Sequence, residues 1–208
     1  MIRTIVFDLG NVLLYFSHER MRQQVCQLCE CSLADIQPLL DPYNGLFDQF
    51  ERGQLSLREF HQQVEAVLQK TIVFQDLMNA VSDIFWLNTS MRPILRAIRE
   101  RGTRLVMLSN TNAAHIEFAK RHFDLFDEFD AEVFSYEVKA VKPEKAIFDA
   151  LLETIQCEPD QCFYTDDTPG HVQAALQLGI PSGVFTDART FLAQLREQGY
   201  DLSMGETK

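Results

Sequence analysis

Asp8, the Ser109-Asn110 pair, Lys142 and the Asp166-Asp167 pair are the residues of this chain whose types and spacing suit catalysis. Asp8, Ser109 and Asp166 each come directly after, or at the end of, a short run of apolar residues, and Lys142 stands just ahead of a helical pattern. Transfer of a phosphoryl group asks for an in-line nucleophile, donors for the non-bridging oxygens, and a cation to offset repulsion between carboxylate and phosphate. Asp8 can be the nucleophile. Ser109, Asn110 and neighbouring backbone N–H groups can hold phosphate oxygens, and Lys142 can set a positive charge against them. Asp8 with Asp166 and Asp167 offers hard oxygen ligands of the kind Mg2+ takes while keeping several waters. Three converging carboxylates without a cation would repel one another and raise their own pKa values.

Each of these residues also has a bland reading. A single Asp after a strand is more often a turn or cap residue. Ser109-Asn110 can cap a helix beginning near Ala113, and Lys142 can be a solvated lysine before a helix with Pro143 at its first position. Adjacent aspartates at the end of an apolar run are harder to explain unless something positive sits beside them.

The elements that must position these groups follow an alternating grammar. Residues 3–7 read as a buried strand running into the turn Asp8-Leu9-Gly10-Asn11. Further strands are predicted from Arg104 to Leu108, Glu132 to Phe134, Cys162 to Tyr164 and Ser182 to Phe185. Helical stripes lie between them, including Ile94, Leu95 and Ile98 stopped by Gly102, the stripe from Ile147 to Ile155 opened by Pro143, and a closing helix near Ala188 to Glu197. Strand and helix in alternation predict an α/β fold, a parallel sheet with helices on both faces that binds its ligand at the carboxyl ends of the strands. Residues 16–88 break the alternation. They carry helix signals and no clear strand: capping boxes at Ser32–Asp35 and Ser56–Glu59, a stripe of Leu57, Phe60, Val64, Val67 and Leu68, and another of Leu77, Val81, Ile84 and Phe85. An all-helical insert is therefore expected between a core of residues 1–15 and 89–208. Tyr43, Phe47 and Phe50 are expected in the insert's core, and Glu51-Arg52-Gly53 reads either as a loop reaching over the site or as a plain turn between helices.

Taken together, FDLGN at 7–11, LSNT at 108–111, KP at 142–143 and YTDD at 164–167 resemble the four motifs of the haloacid dehalogenase superfamily. The resemblance spans essentially the whole chain, with the helical insert where that family carries its cap domain. It implies a Rossmann-like core and an aspartyl-phosphate mechanism, with Asp8 as nucleophile and Ser109 and Lys142 on phosphate. It also implies Mg2+ held by Asp8, the Gly10 carbonyl and Asp167, with Asp166 close by. The FDLGNV and LSNTN forms resemble bacterial sugar-phosphate phosphatases of the superfamily, which implies a small phosphate ester as substrate.

Two departures bear on turnover. Most phosphatases of the superfamily carry a second aspartate two residues after the nucleophile, as general acid and base, where this chain has Gly10. A missing acid/base costs about 100- to 10,000-fold, so either another group serves or the leaving group is good; His18 and His115 are the candidate substitutes. His171 stands where the family has asparagine and Lys139 where it has glycine. Two rival readings stay open: a 2-haloacid dehalogenase, where the same aspartate attacks carbon without a metal, and a non-catalytic phosphate-binding protein. The paired acids at 166–167 argue against the first, and the retained nucleophile and lysine against the second.

Bulk properties narrow the partners. The formal net charge of -11 leaves no basic surface of the size that nucleic acid needs. No apolar run approaches the roughly 20 residues of a membrane span, and the opening MIRTIVFDLG lacks the features of a secretion signal, which predicts a cytoplasmic protein, monomeric or homodimeric. Five cysteines, an odd number, do not make a disulfide framework. The tail from Asp201 to Lys208 is polar and expected to fray.

Overall fold

The computed structural model of the protein describes residues 1–41 and 45–202. The chain opens with β1 (Thr4–Phe7) and β2 (Leu14–Phe16), then runs through α1 (His18–Cys29), α2 (Leu33–Ile36), α3 (Leu46–Glu51), α4 (Leu57–Leu68) and α5 (Phe74–Ser82). It returns through β3 (Phe85–Leu87), α6 (Arg92–Glu100), β4 (Arg104–Ser109), α7 (Ala113–His122), β5 (Ala131–Phe134) and α8 (Ser135–Val138). The last elements are α9 (Lys145–Thr154), β6 (Cys162–Asp166), α10 (Pro169–Gln177), β7 (Ser182–Val184) and α11 (Ala188–Glu197).

Five strands form one sheet in the order β5-β4-β1-β6-β7, and every pairing is parallel. A parallel sheet must be covered on both faces, and the strand sequences supply apolar side chains to both. Ile5 and Phe7 of β1 join Leu105 and Met107 of β4 beneath Ile94 and Ile98 of α6 and Phe191 and Leu195 of α11. Val6, Val106, Leu108 and Tyr164 face the other way, onto Ile147, Phe148 and Leu151 of α9 and Ala175 of α10. Because β1 is central and the chain builds outward from it in both directions, the loops after β1, β4 and β6 open side by side at one end of the sheet.

Helices α1–α5 pack around a separate apolar cluster that includes Met21, Val25, Phe47, Phe50, Phe60, Val64, Leu77 and Val81. Both expected capping boxes form: Asp35 accepts from the Ser32 N–H at 2.8 Å, and Glu59 from the Ser56 N–H at 2.8 Å. Phe47 and Phe50 lie in this core at 0% and 1% exposure, and Tyr43 lies outside the described residues.

Three expectations need correction. The stretch 16–88 does contain a strand: β3 pairs antiparallel with β2 as a two-stranded ribbon, so Phe85 belongs to that ribbon and α5 ends at Ser82. Pro143 is not the first residue of a helix. The chain turns at 141–144, closed by the Glu144 N–H on the Val141 carbonyl at 2.8 Å, and α9 starts at Lys145. The tail is anchored further than expected, because Tyr200 bonds Thr103 at 2.6 Å and Leu202 is buried in the sheet's core; residues 203–208 lie outside the described ones. Among the described residues, no helix is long and apolar enough to cross a membrane.

The segment after α3 approaches the sheet domain more closely than a side chain would permit. Gly53 has φ +62°, and a Cβ built on it would lie 1.9 Å from the Tyr136 carbonyl oxygen. Gly102 shares the left-handed backbone, at φ +71°, but faces open space. Left-handed backbone costs an L-residue about 1–2 kcal/mol. Gly102→Ala should therefore lose about that much in urea denaturation, whereas Gly53→Ala must also push α3 off Tyr136 and should lose more.

Candidate active site

The predicted residues meet at the carboxyl end of the sheet. Asp8 follows β1, Ser109 ends β4, Asp166 ends β6, and the turn after α8 brings in Lys142. Lys142 is 3% exposed, so the solvated reading fails. Its ammonium donates to Asp8 Oδ1 at 2.8 Å, to Asp166 Oδ2 at 2.6 Å and to the Leu108 carbonyl at 3.1 Å, which uses all three of its protons. Burial pulls the Lys142 ammonium down, but the two carboxylates outweigh it and hold it above its ordinary value.

One lysine serves two acids, and their environments divide them. Burial is the largest influence on both. At Asp8 it wins, aided by the charge of Asp166, and the carboxyl is raised to about 7. At Asp166 burial is overcome by Lys142 and His171, and the group is held well below the usual carboxylate range. Asp166 also accepts from the Tyr164 hydroxyl and from the Thr168 N–H at 2.8 Å, while His171 Nδ1 lies 3.1 Å from it. A carboxylate so fully engaged is a fixed charge that orients its neighbours. Asp8 is different: its Oδ2 has no protein donor among the described residues.

Asp167 is less buried, and its Oδ2 accepts from Asn11 Nδ2 at 2.9 Å. Asn11 has φ 54°, a left-handed turn residue that reverses the chain after β1. Asp8, Asp166 and Asp167 each bring an oxygen within 4.8 Å of the others. Three carboxylates against one ammonium leave a negative excess, and hard oxygens in that number suit a magnesium-type cation.

Ser109 is buried, and its hydroxyl makes only a 3.3 Å contact with the Asn110 carbonyl, so it is available to a ligand. Asn110 lines the cleft, but its amide is committed to the Lys142 backbone, accepting from its N–H at 2.7 Å and donating to its carbonyl at 3.1 Å. The Asn110 side chain thus fixes the lysine rather than the ligand. The N–H groups of Leu9, Gly10 and Asn110 have no acceptor among the described residues, which makes the turns after β1 and β4 a site for an anion. Sequence reasoning named backbone donors only in general, and which ones are unspent depends on the turn geometry.

The remaining candidates separate clearly. Lys139 is exposed and ends α8 at φ 61°, which explains the family's glycine as a backbone requirement; it does not line the cleft. His171 does line it. His115 is buried at 5% exposure with Nε2 3.0 Å from the Val81 carbonyl, and burial lowers it to about 3. It is a neutral structural histidine that ties α7 to α5. His18 faces the cleft, its ring 4.9 Å from that of Phe16, and burial lowers it as well. Arg52 and Glu51, which the sequence left between loop and turn, both line the cleft.

Two measurements test this picture. Lys142→Ala leaves Asp8 and Asp166 without their shared cation and should cost about 3–5 kcal/mol at pH 8 in urea denaturation, with a smaller loss at pH 5, where a carboxyl can take up a proton. For His115, the unfolded chain binds a proton that the folded chain refuses between pH 6.5 and about 3, so stability falls as pH falls through that window. His115→Asn should flatten the slope of stability against pH there by about 1.4 kcal/mol per pH unit.

The family model for haloacid dehalogenase-like hydrolases matches residues 2–179. The chain is similar to the D-ribitol-5-phosphate phosphatase of Bacteroides thetaiotaomicron, with 28% identity over 192 residues, 86% of this chain and 89% of the relative. A haloacid dehalogenase family enzyme of the same organism, solved in complex with magnesium and inorganic phosphate, superposes with a TM-score of 0.80 at 26% identity, covering 90% of this chain and 96% of that one. A hydrolase of this type from Porphyromonas gingivalis gives a TM-score of 0.81 at 27% identity, covering 95% and 97%. Motif order, strand-end geometry and the reach of the family match agree, and the chain belongs to the haloacid dehalogenase-like hydrolases.

Proposed function

We propose that this hydrolase is a phosphatase of small phosphorylated metabolites, sugar or polyol phosphates in particular, and that Asp8 attacks phosphorus to form an aspartyl phosphate. The observation that carries the reading is the Asp8 carboxylate at the tip of the central strand, one oxygen on Lys142 at 2.8 Å and the other without a partner among the described residues, beside backbone donors that are likewise unspent there. Lys142 orients the nucleophile and offsets charge as the phosphate approaches. Ser109 and the N–H groups of Leu9, Gly10 and Asn110 take the non-bridging oxygens. Similarity to a sugar-alcohol phosphatase supports the substrate class.

Magnesium fits the donor set: Asp8, Asp167 and the Gly10 carbonyl would hold it, with Asp166 behind them. When bound, it neutralises charge between the carboxylates and the phosphate. The metal also answers the burial that raises Asp8, since a cation beside that carboxyl favours its ionised form. The magnesium complex of a structural relative points the same way. Helices α1–α5 serve as a cap, spanning about residues 16–88 over a core of 1–15 and 89–208, which excludes water during transfer and admits it for hydrolysis. In a dehalogenase the same aspartate would attack carbon, and the Asp166-Asp167 pair would have no cation to hold.

Phosphate release from a panel of sugar and polyol phosphates, with and without Mg2+, tests the reading. Wild type should release phosphate only with the metal, and Asp8→Asn should lose more than ~1,000-fold in kcat. A phosphorylated wild-type chain, found by mass spectrometry after acid quench, should be absent from the variant. Halide release from 2-haloacids with no release from any phosphate ester would replace this reading with the dehalogenase one.

A further inference from the structure

Gly10 leaves the proposed phosphatase without the usual acid/base, and the structure sets the ring of Phe16 against that position. A Cβ on Gly10 would lie 2.9 Å from Cε1 of Phe16, so a side chain there would have to displace the ring of β2. Beside it is a small cavity of about 50 Å3, lined among others by Gly10, Phe16, His18, Glu51, Ser109 and His115. Glu51 borders both this cavity and the wider cleft that holds Asp8 and Lys142.

The Glu51 carboxyl has no hydrogen-bond or ion-pair partner among the described residues, although its surroundings fix it from three sides. Its own carbonyl accepts from the Ser135 hydroxyl at 2.8 Å. Arg52 pairs with Asp48 at 3.0 Å and with Glu144 at 2.7 Å, lashing the end of α3 to the turn that carries Lys142. Gly53 meets the Tyr136 backbone. That much positioning around an unpartnered acid at a catalytic cleft calls for a use.

We infer that Glu51 is the general acid and base of this enzyme, reaching from α3 to do what Gly10, with no side chain, cannot. The inference rests on the phosphatase reading above. As Asp8 attacks phosphorus, the bond from phosphorus to the ester oxygen breaks, and the Glu51 carboxyl gives its proton to that oxygen to release an alcohol. The Glu51 carboxylate then takes a proton from the water that attacks the aspartyl phosphate, which returns phosphate, a free Asp8 and a protonated Glu51.

The other groups facing the cavity do not compete. His115 is spent on the Val81 carbonyl, and in the wider cleft Asp48 is spent on Arg52 and His171 on Asp166, while burial and Arg22 lower His18 and so disfavour the imidazolium that a general acid would need. Burial, with Asp48 and against Arg52, raises Glu51 to about 8, so it carries its proton at neutral pH and can lose it at modest cost.

The test compares the full-length wild type and Glu51→Gln, with Mg2+, on the best sugar or polyol phosphate and on p-nitrophenyl phosphate, whose leaving group needs no proton. The variant should lose about 100- to 10,000-fold in kcat/KM on the alkyl ester and less than ~10-fold on the aryl ester. It should still give a burst of nitrophenolate, followed by slow turnover as the phospho-enzyme accumulates. The fall in wild-type kcat/KM above pH 8 on the alkyl ester should vanish. Thermal unfolding should find the variant folded; if it does not, Glu51→Asp reads the same contrast between leaving groups. Unchanged kinetics, or equal losses on both esters, overturn the role of Glu51 and leave the phosphatase standing. A wild type inert towards every ester overturns the phosphatase and this role with it.

Discussion

The Lys142 ammonium, buried between Asp8 and Asp166, is the contact on which the rest of the site depends. Two carboxylates cannot stand at the tips of neighbouring strands in an apolar interior without a cation between them. The fold meets this demand by routing one lysine in from the turn after α8, and Asn110 clamps that lysine's backbone from both sides. Because, among the described residues, Asp166 has four kinds of donor and Asp8 only one, the shared charge is used unequally. Asp166 becomes a permanent anion that holds the lysine. Asp8 is left with one protein donor among the described residues and its second oxygen open to the cleft, as the proposed nucleophile requires.

Sheet topology makes this economy of contacts available. With β1 in the centre, paired in parallel with β4 and β6, the residues one step past each strand fall beside one another although Asp8 lies more than a hundred positions from both of the others in the chain. The same parallel arrangement keeps both faces of β1, β4 and β6 dry, so that the polar strand ends sit at the boundary of an apolar core rather than in water. Polar contacts there act across a lower effective dielectric than at the surface.

Much of this was legible in the sequence because it is written in local terms. An apolar run of strand length ending in Asp8 or in Asp166-Asp167 carries its own direction, and α11 and both capping boxes follow from patterns a few residues long. What escaped was long-range. Phe85-Trp86-Leu87 extends the apolar spacing of α5, and only its partner Leu14–Phe16, some seventy residues earlier, makes it a strand. Pro143 after a lysine looks like the start of a helix; the turn closed by Glu144 delays α9 to Lys145. In sequence His115 is a candidate base beside the commoner structural reading, and the approach of the Val81 carbonyl from α5 makes it structural.

Glu51 is the clearest case of the second kind. Along the chain Glu51-Arg52-Gly53 reads either as a loop over the site or as a plain turn between helices, and no local pattern gives the Glu51 carboxyl a role. Its meaning comes from the contact between two cores. The phenylalanines bury α3 in one, Gly53 and Ser135 pin its end against the other, and the carboxyl is left facing the cleft where Phe16 has filled the space beside Gly10. A glycine at position 10 and a glycine at position 53 thus belong to one arrangement. The first brings no side chain to the strand end and has a ring of the β2–β3 ribbon against it, and the second lets the helical insert come close enough to supply from above what the strand end withholds.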